Sequence, residues 1–270
     1  MSANPFDFAG RSALVTGCGS ADGIGFASAR LLARLGAPVA ITSTTDRIEE
    51  RAAELRAEGA EVSAHVADLT DRGQAFDLVA AAQAAHGPLD VLVHAAGMVQ
   101  TGHASVSGRF ADLAPDVWQR SLDLNLNTAF HTVQATVAGM AERGYGRIVL
   151  ISSVTGPFVT APGDAAYAAA KAAMDGMMRT LALEYGRAGI TVNSVAPGWI
   201  ATASVTPMEL EAGRSTPVGR PGTAGEVASL VAYLASEPAS YMTGQSVVID
   251  GGNIIQEPHG VDLYGDTAPS

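Results

Sequence analysis

Short apolar runs and longer amphipathic stretches alternate along the chain. The apolar runs, rich in Val, Ile, Leu and Ala, are 12–16, 38–42, 61–67, 90–95, 146–152, 190–196 and 246–250. Strand-length runs that alternate with helix-length patterns are typical of a parallel sheet with crossover helices. The pattern therefore predicts an α/β protein: a single-domain Rossmann fold with a doubly wound parallel seven-stranded sheet and helices on both faces.

The stretches between these runs have helical character. Residues 26–35 place Ala29, Leu32 and Ala33 on one face, and residues 48–58 are rich in Ala, Glu and Arg and stop at Gly59. No linker composition interrupts the alternation, which predicts one domain over 1–270 with its core at 8–252. The tail, 253–270, has no clear period, and we expect it to be partly docked and frayed at its end.

Composition narrows the function. A net charge of −11 argues against a nucleic-acid surface, which needs clustered Lys and Arg. Cys18 is the only cysteine, which excludes an intrachain disulfide, and the six histidines show no metal-ligand spacing, so no metal is expected. The start of the chain lacks a signal-peptide pattern and no apolar run approaches the ~18 residues of a membrane span, so a cytoplasmic protein without membrane contact is predicted.

A glycine-rich turn follows the first predicted strand. In "VTGCGSADGIG" (15–25), five residues separate Gly17 from Gly23. A turn of this kind before a helix lets backbone N–H groups meet a pyrophosphate. The candidate cofactor contacts here are Gly17, Ser20, Asp22, Gly23, Ile24 and Gly25, with Ser20 and Asp22 available to cap the helix. Taken alone, the turn fits a cofactor site and an ordinary tight turn equally well.

Several further motifs occur in a fixed order. They are "ADLT" (67–70), "DLNL" (123–126), "ISS" (151–153), "YAAAK" (167–171), "NSVAPGWIAT" (193–202) and "DGG" (250–252). With the glycine turn, they make residues 8–252 resemble the classical short-chain dehydrogenase/reductase family, most closely its 3-oxoacyl-carrier-protein reductase-like branch. The resemblance implies an NAD(P)-dependent oxidoreductase that transfers a hydride between nicotinamide and a secondary alcohol or ketone, and it implies a homotetramer.

Tyr167 and Lys171 are spaced i, i+4, which puts both on one helix face. A phenol has an ordinary pKa near 10, and a neighbouring ammonium favours the phenolate. Tyr167 is thus the candidate group for proton exchange with the substrate oxygen. By resemblance, Lys171 also binds the nicotinamide ribose. The alternative is an aromatic and a snorkelling lysine on an amphipathic helix.

Two more candidate catalytic residues come from the motifs. Ser153 follows the apolar strand 146–152, at the end of the sheet where such folds bind ligands, and its hydroxyl can hydrogen-bond the reacting oxygen. Ser152 is its neighbouring rival. By resemblance, Asn125 holds a helix carbonyl and a proton-relay water, with Asn127 as the local rival.

The resemblance also implies the remaining cofactor contacts. Asp68 accepts from the adenine amino group with Leu69 beside the ring, unless Asp68 is a helix N-cap. In "HAAG" (94–97), where the family has Asn-Asn-Ala-Gly, Ala95 and Gly97 keep backbone contact to the ribose, and His94 is interpreted as a structural substitute. The carboxamide is held by Pro197, Gly198, Ile200 and Thr202, although Pro197 alone suits a strand end.

Nucleotide preference rests on the segment after the second strand. Ser43, Thr44 and Thr45 stand where an NAD-binding acid is expected, and Arg47 follows within reach of a 2′-phosphate. The segment favours NADP over NAD. Two alternatives stay open: Asp46 takes the NAD role, or Arg47 pairs with an acid such as Glu50.

The substrate is predicted to be a small hydrophobic or aromatic alcohol or ketone. The expected lid, 202–223, carries Val205, Met208 and Leu210 with few cations. Phe158, Val159 and Trp199 either line the pocket or belong to the core. Two other functions are considered: enoyl reduction on the same fold, whose enzymes separate Tyr and Lys by six residues where three intervene here, and a non-catalytic nucleotide-binding module.

Overall fold

The computed structural model describes residues 4–97 and 108–257. Its main sheet is formed by β1 Ser12–Val15, β2 Val39–Ser43, β3 Val62–Val66, β4 Leu89–His94, β5 Gly146–Ile151, β6 Ile190–Pro197 and β9 Ser246–Ile249. The spatial order is β3-β2-β1-β4-β5-β6-β9, and every pairing in it is parallel. The predicted seven-stranded parallel sheet is confirmed, with each strand where an apolar run predicted it.

Helices connect these strands. They are α1 Ile24–Arg34, α2 Ile48–Ala57, α3 Arg72–His86, α4 Pro115–Leu122, α5 Thr128–Arg143, α6 Ala165–Tyr185, α7 Pro207–Arg214 and α8 Ala224–Ala235. A π-helical stretch, Asp123–Asn127, joins α4 to α5. A short parallel pair, β7 Ile200–Ala201 with β8 Gly222–Thr223, lies apart from the main sheet.

Apolar side chains cover both faces of the sheet. Val15 and Val93 belong to a buried cluster with Phe26 of α1 and Val227 of α8. Leu92 belongs to a second buried cluster, which takes in α3, α5 and α6. Alternate residues of a strand point to opposite faces, so strands that are apolar at successive positions need a helical layer on each side. The doubly wound arrangement follows from this pattern.

Two helices begin with reciprocal capping boxes. The Thr206 hydroxyl accepts from the Glu209 N–H while the Glu209 carboxylate accepts from the Thr206 N–H, and Thr223 and Glu226 do the same for α8. Glu226 also binds Arg220 at 2.7 Å, and this hydrogen bond is the main reason that its pKa is lowered to about 2. One capping box lies inside the expected lid, 202–223, and the other lies at its C-terminal end.

The sheet order reverses direction between β1 and β4, and the carboxyl ends of these strands border the crevice where open α/β sheets bind ligands. The start of the tail is docked, because the Gln256 amide donates to the Ser215 carbonyl at 3.1 Å. The tail beyond 257 lies outside the described residues. Among the helices of the described ranges, none combines the length and the apolar composition that a membrane span needs.

Candidate active site

Two glycines allow the β1–α1 turn to pack tightly against its surroundings. Gly17 has a φ of +72°, and a Cβ there would lie 2.5 Å from the Ala95 carbonyl oxygen at the end of β4. A Cβ on Gly25 would lie 2.6 Å from the Gly17 carbonyl oxygen. Both distances are far below van der Waals contact, so only glycine fits at either position. The turn is therefore pressed against the end of β4 and the start of α1.

The five residues between Gly17 and Gly23 do not extend helix α1. Gly23 is the N-cap, with extended backbone angles and no side-chain capping bond, so the expectation that Ser20 or Asp22 caps this helix is wrong. The Ser20 carbonyl instead accepts from the Gly23 N–H at 3.2 Å, which closes a tight turn before the helix starts. The Asp22 side chain is exposed. Ile24 is the first residue of α1.

Cys18 fills the base of the same turn. Its side chain is fully buried, its N–H donates to the Thr42 carbonyl at 2.9 Å, and its thiol contacts the Val15 carbonyl. Burial raises the pKa of the thiol far above its ordinary value. Cys18 therefore ties the turn to β2 and is not a nucleophile.

Arg47 lies across the glycine turn. A Cβ on Gly19 would stand 2.5 Å from Arg47 Nε, and this Nε is buried without a hydrogen-bond partner among the described residues. Glu50 pairs instead with Arg51 at 3.2 Å, and the described residues show no ion pair between Arg47 and Glu50. Ser43 is buried and donates to the Thr45 carbonyl, whereas Thr44 is exposed. The Arg47 guanidinium therefore lies beside the turn with a nitrogen that can still donate a hydrogen bond.

Asp68 follows β3, at the same edge of the sheet. Its carboxylate accepts from the N–H and the hydroxyl of Thr70, at 3.0 and 2.8 Å. The N-cap of α3 is Asp71, which accepts from the Gln74 N–H, so the alternative that Asp68 caps this helix is wrong. Leu69 is buried beside it.

His94, at the end of β4, links this strand to helix α5. It is fully buried, with Nδ1 3.2 Å from the Thr16 hydroxyl and Nε2 3.2 Å from the Thr128 hydroxyl. Burial, helped by the charge of Lys171, lowers its pKa to about 3. Thr16 also accepts from the N–H groups of Ala95 and Ala96, at 3.0 and 3.1 Å. The geometry fits the structural role expected of His94.

Asn125 lies inside the π-helical stretch and is completely buried. Its amide nitrogen donates to the Ser121 carbonyl at 3.1 Å. A Cβ on Gly97 would be 3.0 Å from Asn125 Oδ1 and 3.5 Å from Lys171 Nζ, so these three residues converge. The rival Asn127 binds Asp123 of its own helix at 2.7 Å.

The two serines after β5 point to different partners. The Ser152 hydroxyl is buried and faces the Lys171 carbonyl at 3.5 Å. The Ser153 hydroxyl accepts from the Thr155 N–H at 3.0 Å and interacts with the Tyr167 phenol. The structure thus brings Ser153, rather than Ser152, to the phenol.

Tyr167 and Lys171 lie one turn apart on α6, with Lys171 Nζ 5.7 Å from the centre of the phenol ring. Burial raises the pKa of Tyr167 to about 12; the hydrogen bond with Ser153 opposes the rise, and the charges of Asp164 and Glu209 add to it. Lys171 Nζ donates to the Ile151 carbonyl at 2.9 Å. Burial thus outweighs the lowering expected from the ammonium, and the pKa of Tyr167 in the free chain lies above its ordinary value rather than below it.

The carboxyl end of β6 completes the crevice. Pro197 ends the strand, and a Cβ on Gly198 would meet Asp250 Cβ at 2.6 Å. Ile200 lies in the short strand β7, and the Thr202 hydroxyl contacts Ser204 at 3.2 Å. Beyond them, α7 brings Glu209 close enough to act on the Tyr167 phenol, a contribution that sequence reasoning missed. The Thr206-x-x-Glu209 spacing was the available signal for this helix.

Comparison with known proteins agrees with this geometry. Residues 17–253 match the sequence model of a family described as enoyl-(acyl carrier protein) reductase. The chain is 35% identical over 266 residues to oxidoreductase UcpA of Escherichia coli K12, covering 94% of this chain and 98% of that protein. A mutant Serratia marcescens short-chain dehydrogenase/reductase has a crystal structure that superimposes with a TM-score of 0.82 at 35% identity, covering 92% of this chain and 99% of that one.

The chain belongs to the short-chain dehydrogenase/reductase family. Another member, dehydrogenase/reductase SDR family member 4 of Bos taurus, is 38% identical over 266 residues, covering 93% of this chain and 89% of that protein. As a short-chain dehydrogenase/reductase, the chain is an oxidoreductase of alcohol and ketone substrates that uses NAD or NADP. The family expectation drawn from the ordered motifs is confirmed.

Proposed function

We propose that this chain is an NADP-dependent ketone reductase, in which Ser153, Tyr167 and Lys171 act on the substrate carbonyl and Asn125 supports them. The observation that carries the proposal is the convergence of these side chains at the carboxyl ends of the sheet strands. Ser153 contacts the Tyr167 phenol, and Lys171 Nζ lies within 5.7 Å of the centre of the same ring. An accidental tyrosine and lysine on a packed helix would not account for the serine and for Asn125 beside them.

The residues present fit a dinucleotide. The turn has glycine at positions 17, 19 and 25, where a Cβ would collide with neighbouring groups, and it leads directly into the N-terminus of α1. Backbone N–H groups at such a helix start can meet a pyrophosphate. The unpartnered guanidinium nitrogen of Arg47 beside this turn fits a 2′-phosphate, which supports NADP. The residues proposed to hold the cofactor are Gly17, Ser20, Asp22, Gly23, Ile24, Gly25, Ser43, Thr44, Arg47, Asp68, Leu69, Ala95, Gly97, Tyr167, Lys171, Pro197, Gly198, Ile200 and Thr202. When bound, the nicotinamide supplies or accepts the hydride.

The protonation state of Tyr167 favours reduction. With a pKa of about 12, the phenol carries its proton throughout the neutral range and is ready to give it to a carbonyl oxygen. Ser153 orients that oxygen by a hydrogen bond. Alcohol oxidation needs the phenolate. At pH values below the pKa, the phenolate fraction increases about tenfold for each unit by which the pH is raised. We therefore expect oxidation to accelerate steeply toward alkaline pH, while reduction stays nearly level through the neutral range.

Charge near the phenol favours an uncharged substrate. Asp164 and Glu209 both act on Tyr167 strongly enough to raise its pKa, and a substrate carboxylate at the same place would meet their repulsion. A relative from Xanthomonas campestris, 35% identical, is a 2-keto-3-deoxy-L-fuconate dehydrogenase, whose name specifies a sugar acid. For this chain we propose a neutral hydrophobic or aromatic ketone instead.

The test is a fluorescence titration of the purified chain with NADPH and with NADH, followed by addition of ketones to each saturated complex. The expected result is tighter NADPH binding and ketone-dependent oxidation of NADPH, fastest with neutral aryl ketones. A 2-enoyl thioester tests enoyl reduction and should give no turnover. Tighter NADH binding would overturn the nucleotide preference, and binding without turnover would favour the non-catalytic module. Light scattering on the same sample tests the proposed homotetramer.

A further inference from the structure

A second buried ionisable group lies one turn beyond Lys171 on α6. Asp175 is 1% exposed, and its Oδ1 accepts a hydrogen bond from the Ser194 hydroxyl of β6 at 2.9 Å. Its Oδ2 is buried without a hydrogen-bond partner among the described residues. A buried carboxylate with an unpaired oxygen is costly unless another charge compensates it. The Asp175 carboxylate therefore needs a compensating positive charge nearby.

Lys171 is likewise a buried ionisable residue, with a charge of the opposite sign. It is the only lysine of the 270-residue chain, and 3% of it is exposed. Its ammonium donates to the Ile151 carbonyl at 2.9 Å. Burial lowers the pKa of Lys171 to about 8, and the charge of Asp175 opposes that fall. Without an opposing charge, an ammonium in this position would lose its proton at a lower pH.

The other titratable neighbours of Lys171 supply no negative charge at neutral pH. His94 from β4 is neutral, because burial lowers its pKa to about 3. Tyr167, on α6 itself, is neutral because burial raises its pKa to about 12. Asn125 lies across Gly97 and is uncharged. Among the described residues that act on Lys171, Asp175 is thus the source of negative charge.

We propose that Asp175 is a positioning residue of the active site, whose buried negative charge keeps Lys171 cationic at neutral pH. Tyr167, Lys171 and Asp175 follow each other at i, i+4 and i+8 along one face of α6. The Ser194 hydrogen bond fixes the carboxylate between α6 and β6, and buried Met174 and Met178 flank it on the helix, where low polarity strengthens the attraction. The link to turnover rests on the proposed function, but the charge coupling does not.

The single lysine makes a direct test possible. In protein labelled with [13C]lysine at Cε, the NMR spectrum should contain one lysine signal, and its shift against pH reports the pKa of Lys171 alone. Asp175→Asn and Asp175→Ser remove the charge, and Asp175→Glu keeps it. Ser194→Ala is the matched control, because it removes the hydrogen bond but leaves the carboxylate in place.

We expect the lysine titration to move down by about one pH unit or more in Asp175→Asn and Asp175→Ser. It should stay within a few tenths of a unit of wild type in Ser194→Ala, and Asp175→Glu should restore most of the shift. The alkaline limb of the kcat/KM profile for ketone reduction should move by the same amount as the NMR titration.

Folded Asn and Ser variants, verified by circular dichroism, that titrate like the wild type would overturn the proposal. The Ser variant keeps the test available if Asn at this position prevents folding. Failure of the proposed function has a different signature: the wild-type chain would turn over no ketone with either nucleotide, while the lysine titration would still respond to Asp175.

Discussion

The buried His94 predicts a specific loss of stability in acid. In the network around its ring, the Thr128 hydroxyl donates to the Leu124 carbonyl and so accepts from His94 Nε2–H, and the Thr16 hydroxyl donates to Nδ1. This assignment leaves the ring neutral. A second ring proton would point at Thr16, which already accepts from two backbone N–H groups. The folded chain therefore resists protonation of His94.

The size of the effect follows from the two pKa values. The unfolded chain takes up the proton near pH 6.5, whereas burial keeps the folded pKa at about 3. Above pH 6.5 both states are neutral and His94 contributes nothing to pH dependence. As pH falls below 6.5, the unfolded state alone gains the proton, so the free energy of unfolding decreases by about 1.4 kcal/mol per pH unit. By pH 4.5 the loss is on the order of 2–3 kcal/mol.

His94→Asn removes this titration. Urea unfolding of wild type and variant, followed by fluorescence of the two tryptophans, gives the free energy of unfolding at pH 7.5, 5.5 and 4.5. The variant should lose about 2–3 kcal/mol less than wild type between pH 7.5 and 4.5. Thr128→Val, which alters the same network without removing the imidazole, should keep the wild-type acid dependence. A difference between wild type and His94→Asn that does not change with pH would refute the reasoning.

Three further predictions concern the proposed catalytic and cofactor residues. Tyr167→Phe should lower kcat at least about 100-fold while the fluorescence titration gives a nearly unchanged NADPH affinity; retained turnover would contradict the proton-transfer role. Arg47→Gln should weaken NADPH binding by about 10- to 100-fold and leave NADH binding nearly unchanged. The control is Arg56→Gln, which removes a more exposed charge from α2 and should change the affinity for neither nucleotide. Equal losses of NADPH affinity in both variants would show that only the net charge of the protein matters, not the position of Arg47. Gly17→Ala should lower the free energy of unfolding by more than about 2 kcal/mol, because a Cβ would lie 2.5 Å from the Ala95 oxygen. Gly59→Ala, also at positive φ but in open space, should lower it by about 1–2 kcal/mol, and similar losses in the two variants would show that the close approach is unimportant.

The strands were predictable because their composition leaves little choice. The runs 90–95 and 146–152 contain apolar residues at successive positions, 91–93 and 148–151, which fits a sheet covered on both sides, and β4 and β5 appear there. The i, i+4 spacing likewise predicted that Tyr167 and Lys171 share a helix face. The sequence pattern therefore sufficed for the seven strands of the main sheet and for this pair.

Electrostatics was less predictable than the strands, because it depends on neighbours distant in sequence, and the cap of one helix was also missed. The ammonium of Lys171 was expected to lower the pKa of Tyr167, but burial of the phenol raises it instead. Ser20 and Asp22 are good capping residues by type, yet Gly23 starts the helix. The position of Glu209 near the phenol depends on how α7 folds back, which no local pattern specifies.

The π-helical stretch around Asn125 has a consequence for how this chain can change length. Helices α4 and α5 continue into each other through Asp123–Asn127, and a π turn contains one residue more than an α turn. Deleting one residue there would restore regular α-helical bonding, but it would rotate everything on one side by about 100° about the axis. Ser121 would leave the buried face, and Asn125 would lose the carbonyl it holds. Substitutions in this segment should therefore be tolerated far more readily than the deletion of a residue.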